Sequence, residues 1–132
     1  MRLSHPRQEL VIFKGVVYTD GSGGAPWYAR ELERVGWSAV QMRIGEATPY
    51  LFAYGTLPGT IQMVGRAELY AIVQVLENGV APLNTKTDHL NQVKKFNKGE
   101  RHCRSLLMSP YIDLWERAWN QIARLGGYGE QV

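Results

Sequence analysis

Cysteine is nearly absent from this sequence: Cys103 is the only one, which excludes a disulfide framework. With histidine confined to His5, His89 and His102, no paired ligand spacing for a structural zinc site can be drawn. Cys103 has no His/Asn partner pattern that would make it a nucleophile. No apolar run approaches the roughly 20 residues a membrane-spanning helix needs, so no membrane partner is expected. The first residues, MRLSHPRQEL, lack the apolar stretch and small-residue cleavage site of a secretory signal, so a cytoplasmic or nuclear rather than secreted protein is expected. A phosphate-cradling loop is missing too, because Gly21-Ser22-Gly23-Gly24 has no following Gly-Lys-Ser/Thr and leads into no obvious helix. Repeats, low-complexity tracts and linkers are absent, and 132 residues suit one domain, with 1–9 a flexible or peripheral segment and 126–132 a tail.

What the sequence does contain is a modest basic excess, 15 Lys and Arg against 12 Asp and Glu. Much of it lies between Lys86 and Arg104, where Lys94, Lys95, Lys98, Arg101 and His102 face only Asp88 and Glu100. That stretch reads equally well as a solvated face or as a contact for a polyanion.

Hydropathy patterning orders the elements. Leu10 to Thr19 is a dense apolar, β-branched run, read as a strand covered on both faces, and it stops at Asp20-Gly21. Gly36 to Ile44 and Tyr50 to Tyr54 read as two more strands, and their short connection favours an antiparallel meander. Leu69, Ile72, Val73 and Leu76 then fall on one helical stripe with Glu68 in the first turn and Asn78-Gly79 as the stop. Leu83 to Thr87, bounded by Pro82, reads as a short strand, and Leu90, Val93 and Phe96 as the apolar side of a second helix. A last helix is capped by Ser109, opens on Pro110, carries Trp115, Ala118, Trp119 and Ile122 inward and ends at Gly126-Gly127. This order predicts an α/β or α+β fold, a mixed sheet with helices packed on it.

Three carboxylates stand at element boundaries. Asp20 ends the first strand, Glu68 opens the first long helix and Asp88 ends the fourth strand. Each alone has an ordinary reading, as a turn residue, a dipole-complementing first-turn acid and a helix cap. If the first and fourth strands are neighbours, Asp20 and Asp88 share one sheet edge and Glu68 can lie above them. Carboxylates about 4 Å apart repel by roughly 1 to 4 kcal/mol per pair, and a hard divalent cation with oxygen ligands, Mg²⁺ in particular, offsets that. Trp27 and Tyr28, in the loop after Gly24, read either as base-stacking rings or, more simply, as packing over the sheet edge.

Tyr18-Thr19-Asp20-Gly21-Ser22, then Arg66-Ala67-Glu68-Leu69, then Thr87-Asp88, with Asp113-Leu114-Trp115 opening a later helix, resembles the ribonuclease H family in order, spacing and context from about Val11 to Leu125. The resemblance implies a mixed five-stranded sheet, the first three strands antiparallel and the fourth parallel to the first. It implies two-metal hydrolysis of the RNA strand of an RNA/DNA hybrid with two Mg²⁺ ions, for which Mn²⁺ substitutes, held by Asp20, Glu68 and Asp88, with Asp20 bridging both. It further implies substrate contacts from Gly21, Ser22, Arg66 and His89, and phosphate contacts from Lys94, Lys95, Lys98 and Arg101.

The sequence departs from the family at three places. The family's final strand and helix, with a fourth carboxylate and a loop histidine, find no match; Asp113 belongs to the earlier helix, and Glu130 is a remote candidate. Met63-Val64-Gly65 stands where many members place an Asn or Gln that contacts the hybrid. His89 follows Asp88 where serine is usual, and reads either as a tuning ring or, preferably, as a helix cap. The expectation is therefore a piece of a longer, retroelement-like protein, weakly active or inactive alone. The competing expectations are a non-catalytic module of the same fold that binds nucleic acid or a protein partner, or that dimerises through an uncovered sheet edge, and another nuclease or integrase of that fold.

Overall fold

The computed structural model describes residues 2–3, 12–23, 35–42, 49–106 and 109–127. Its elements are β1 (Arg2–Leu3), β2 (Phe13–Ser22), β3 (Gly36–Met42), β4 (Pro49–Thr56), α1 (Val64–Glu77), β5 (Gly79–Thr87), α2 (Leu90–Asn97), α3 (Glu100–Arg104) and α4 (Ile112–Arg124). The strands form one sheet in the order β1-β4-β3-β2-β5. The meander is antiparallel, and β5 runs parallel to β2 with Thr19 opposite Thr87. The expected mixed sheet is therefore present. Among the described residues no helix is long and apolar enough to cross a membrane.

Strand β2 alternates rather than lying covered on both faces. Phe13, Val17 and Thr19 are buried toward α1, while Lys14, Tyr18 and Asp20 are exposed on the other side. The reason is that the described helices leave that face open, so Tyr18, Phe52 and Tyr54 stay more than two-fifths exposed. Gly15, at φ +77°, accommodates the register shift that follows Phe13.

Helix α1 lies against β2, β3 and β5, and α4 packs on α1. Residues Ala67 to Leu76 of α1 are all buried, a wider contact than one stripe, because sheet and α4 enclose the helix from two sides. The stripe of α4 is as expected: Trp115, Ala118, Trp119 and Ile122 are buried, with Phe96 of α2 edge-on to Trp115 at 4.8 Å between ring centroids. Gly126 and Gly127, both at positive φ, end α4, and Gly127 N–H donates to the Ile122 carbonyl.

Several boundaries move. Strand β5 begins at Gly79 and runs through Pro82, which is tolerated because β5 is the last strand in the order and one of its sides needs no ladder donor. Helix α1 starts at Val64, so Glu68 sits in its second turn, not its first. Helix α4 starts at Ile112; Ser109 instead accepts the Tyr111 N–H through its hydroxyl, shaping the preceding turn. On α2 the buried face is Gln92 and Phe96, while Leu90 is 61% exposed. Gln92 turns inward because its Nε2 donates to the Gly65 carbonyl of α1 at 3.1 Å. The five-residue α3, set off from α2 by Gly99 at φ +93°, was not expected; it inserts Cys103 into the core. Arg2–Leu3, within the segment expected to be flexible or peripheral, pairs with β4 at the edge of the sheet. The expectations for His5, Trp27, Tyr28 and Glu130 lie outside the described residues.

Candidate metal centre

The parallel pairing of β2 with β5 decides the site. Thr19 and Thr87 are register partners, so the next residues, Asp20 and Asp88, emerge side by side at the same rim of the sheet. Glu68 comes down onto that rim from α1. Its approach depends on Gly21: a Cβ there would lie 2.8 Å from the Glu68 backbone nitrogen and 3.1 Å from its Cγ, closer than packed atoms allow. The missing side chain thus lets the helix touch the strand, and one carboxylate oxygen from each of Asp20, Glu68 and Asp88 falls within 4.8 Å of the others.

The three differ in environment. Asp20 and Asp88 are exposed, whereas Glu68 is only 4% exposed. Burial pushes the Glu68 carboxyl above the ordinary glutamate range, and the charges of Asp20 and Asp88 add to that. The Gly21 N–H and the Thr87 hydroxyl oppose it by donating to the carboxylate. Glu68 forms no ion pair among the described residues. A carboxylate cluster with hard oxygen donors, and with no side-chain cation paired to it among the described residues, matches what Mg²⁺ or Mn²⁺ requires, and its donor set does not match zinc.

The remaining expected contacts fall out variously. Gly21 donates its N–H to Glu68 and packs on α1, so it acts on the cluster from beneath. Ser22 is exposed at the end of β2. Arg66 is engaged elsewhere: its guanidinium makes two 2.8 Å bonds to Asp113 and one of 2.9 Å to the Pro110 carbonyl, tying α1 to α4. Arg66 thereby holds the Asp113 carboxyl below its usual range. His89 is partly buried; its N–H donates to Thr87 Oγ1 and its Nδ1 is buried without a partner among the described residues. Lys94, Lys98 and Arg101 are exposed on and after α2 and make no ion pair among the described residues, while Lys95 is half-buried. Arg104 is paired with Glu100.

Two features escaped the sequence. A shallow concavity of about 390 Å³ is lined by Tyr18, Thr19, Asp20, Lys86, Thr87 and Asp88, bringing one ring and one ammonium to the carboxylate rim. Strand alternation around Asp20 and Asp88 is the signal that could have found them. Away from the carboxylates, an apolar groove of about 380 Å³ runs beside β5 between Leu76, Leu83, Val93, Phe96, Ile122 and Leu125. Its lining comes from four elements, which no local pattern reveals.

No protein-family model and no curated protein sequence matches the chain. Solved structures do. A foamy viral protease-reverse transcriptase in complex with an RNA/DNA hybrid superposes with a TM-score of 0.65 over 82% of this chain at 18% identity. The N-terminal ribonuclease H domain of a Mycobacterium tuberculosis protein, solved as a fusion with maltose-binding protein, gives 0.56 over 88% at 13% identity, and this chain covers 80% of it. The solution structure of the PFV ribonuclease H domain gives 0.56 over 83% at 17% identity, with 72% of that domain covered. The chain spans only 15% of the length of the viral protease-reverse transcriptase. Strand order, helix placement and these superpositions together establish that this chain has the ribonuclease H fold.

Proposed function

We propose that this chain is a metal-dependent nuclease domain of ribonuclease H type, acting on the RNA strand of RNA/DNA hybrids as one part of a longer polypeptide. The observation that carries it is the convergence of Asp20, Glu68 and Asp88, from three separate elements, to within 4.8 Å. Two Mg²⁺ or Mn²⁺ ions bound there would activate a water for attack and stabilise the leaving 3′ oxygen. Asp20, Glu68 and Asp88 would together hold the ions, with the exposed Asp20 and Asp88 on the side open to substrate. Lys94, Lys95, Lys98 and Arg101 lie on or just beyond a helix about 12 Å long that leaves directly from Asp88, where they can hold the phosphates of the bound strand. Ser22 and His89 adjoin the same rim and complete the proposed contacts.

The test is an assay of labelled RNA/DNA hybrid with Mg²⁺ and Mn²⁺, comparing the longer protein with its Asp20→Asn variant and with duplex DNA and duplex RNA as substrates. Hybrid cleavage abolished by Asp20→Asn is expected. Equal cleavage of duplex DNA would move the protein to the integrase-like branch of the fold, and an inert longer protein would remove catalysis altogether.

One observation favours a second reading, a partner-binding module. Strand β5 has no neighbour on its outer side among the described residues, and an apolar groove lies beside it. Light scattering across a concentration series separates the readings: self-association of the isolated chain supports partner binding through this edge, and a monomer at all concentrations counts against dimerisation.

A further inference from the structure

Glu68 is buried beside two other carboxylates with no cation paired to it among the described residues, yet it must present its oxygens in a fixed direction for a metal to be shared with Asp20 and Asp88. Two neutral donors face it, the Gly21 N–H and the Thr87 hydroxyl. The first is backbone and cannot be varied by the side chain. The second can. Thr87 lies on β5 opposite Thr19, whose side chain is buried toward α1, and parallel pairing puts both threonines on that same face. Asp88, one residue on, leaves the strand. The same β5 terminus therefore supplies a ligand and, one residue earlier, a hydroxyl aimed at a different ligand.

That hydroxyl lies between two partners. Thr87 Oγ1 accepts the His89 N–H at 3.1 Å, and its own hydrogen is available to donate to Glu68 Oε2, 3.5 Å away. Threonine is β-branched and stiff at χ1, so the oxygen is held by the strand rather than by the contact itself. The 3.5 Å separation is long, and the hydroxyl acts as a guide for the carboxylate more than as a source of stability.

We propose that Thr87 is a positioning residue of the metal centre: its hydroxyl, oriented by the His89 N–H, fixes one oxygen of Glu68 so that the carboxylate keeps its aim toward Asp20 and Asp88 whether or not metal is bound. This rests on the metal-centre reading above and adds a residue to it. The chemistry is that of a support to a ligand, whose removal weakens metal binding without removing a ligand.

The test is a Mn²⁺ titration of the whole chain by NMR line broadening and calorimetry, on wild type, Thr87→Val, Thr87→Ser and Asp20→Asn, with the metal-free melting temperature of each recorded alongside. Thr87→Val retains the shape but lacks the hydroxyl, and about three- to tenfold weaker Mn²⁺ binding is expected. Thr87→Ser restores the hydroxyl and is expected within about twofold of wild type. Asp20→Asn, which removes a ligand, should lose most of the binding. If Thr87→Val binds Mn²⁺ like wild type while Asp20→Asn does not, the metal centre stands and the role of Thr87 is overturned. That role is equally overturned if Thr87→Ser binds as weakly as Thr87→Val, since packing rather than the hydroxyl is then at work. Wild type that binds no Mn²⁺ overturns both.

Discussion

Glu68 shows what a single side chain contributes to pH behaviour here. Its carboxyl is raised in the folded state, chiefly by burial and then by Asp20 and Asp88, so the folded protein binds that proton more tightly than the unfolded chain does. Metal-free stability from this group is therefore greatest below the ordinary glutamate range and falls as pH rises through the raised value. Asp113 has the opposite sign: Arg66 depresses it, so its contribution is present at neutral pH and lost as pH falls through the depressed value. Asp113 is more than half exposed, which holds that contribution to a small one. Melting temperature measured against pH in a chelator should accordingly decline on both flanks. Asp20→Asn should raise the metal-free melting temperature, because unit charges 4.8 Å apart repel by about 1 kcal/mol in water-like surroundings and more in a drier one. Unchanged melting would mean that the carboxylates are already neutralised. Gly21→Ala should do the reverse, destabilising the chain by about 2 kcal/mol and weakening metal binding, since its new methyl meets the α1 backbone. At this scale Asp20, Glu68 and Asp88 were legible in the sequence through the Thr19-Asp20-Gly21, Ala67-Glu68-Leu69 and Thr87-Asp88 strings that carry the resemblance. Thr87 and the packing role of Gly21 were not, because each depends on what the opposite element brings near.

Among the elements, α4 was the most legible. Its indoles recur at helical spacing, and both Trp115 and Trp119 are buried against Phe96. Trp115→Ala should lose about 3 to 5 kcal/mol, a large share of the stability of a domain this size, read by chemical denaturation. Loss of less than about 1 kcal/mol would show that α4 is not integral to the core. Less legible were β5 and α2. Pro82 looks like a boundary until the strand's place at the end of the sheet order is known, and Gln92 looks like surface until Gly65 is found to be its partner. The start of α4 was misplaced by a Ser-Pro pair whose hydroxyl organises a turn rather than a cap. For β5 and α2 the determining contact is made with residues far along the chain, whereas the Ser109 turn is local and differs from a cap only in which N–H the hydroxyl takes.

For the whole molecule, the antiparallel meander followed from the short connections between strands, and the parallel fourth strand from the resemblance to the ribonuclease H family. The disposition of charge did not. Lys94, Lys98 and Arg101 form an exposed basic stretch without ion pairs among the described residues, whereas Arg66, Arg104 and Arg117 are tied to acids. If the stretch holds phosphates, replacing Lys94, Lys98 and Arg101 together by Glu should weaken hybrid binding in Ca²⁺ buffer. It should also flatten the salt dependence by roughly 0.7 to 0.9 log units for each phosphate the protein no longer neutralises. A slope equal to wild type would assign the stretch to solvent.

Gly21 lies where β2 meets the α1 backbone beside Glu68, so the centre exists only while sheet and helix are docked. An ion bound there is a ligand of the native state alone, and saturating it about a hundredfold above its dissociation constant adds about 2.7 kcal/mol to the unfolding free energy. A cell's divalent-cation level would then govern how long this domain escapes proteolysis, independently of whether any strand is being cut.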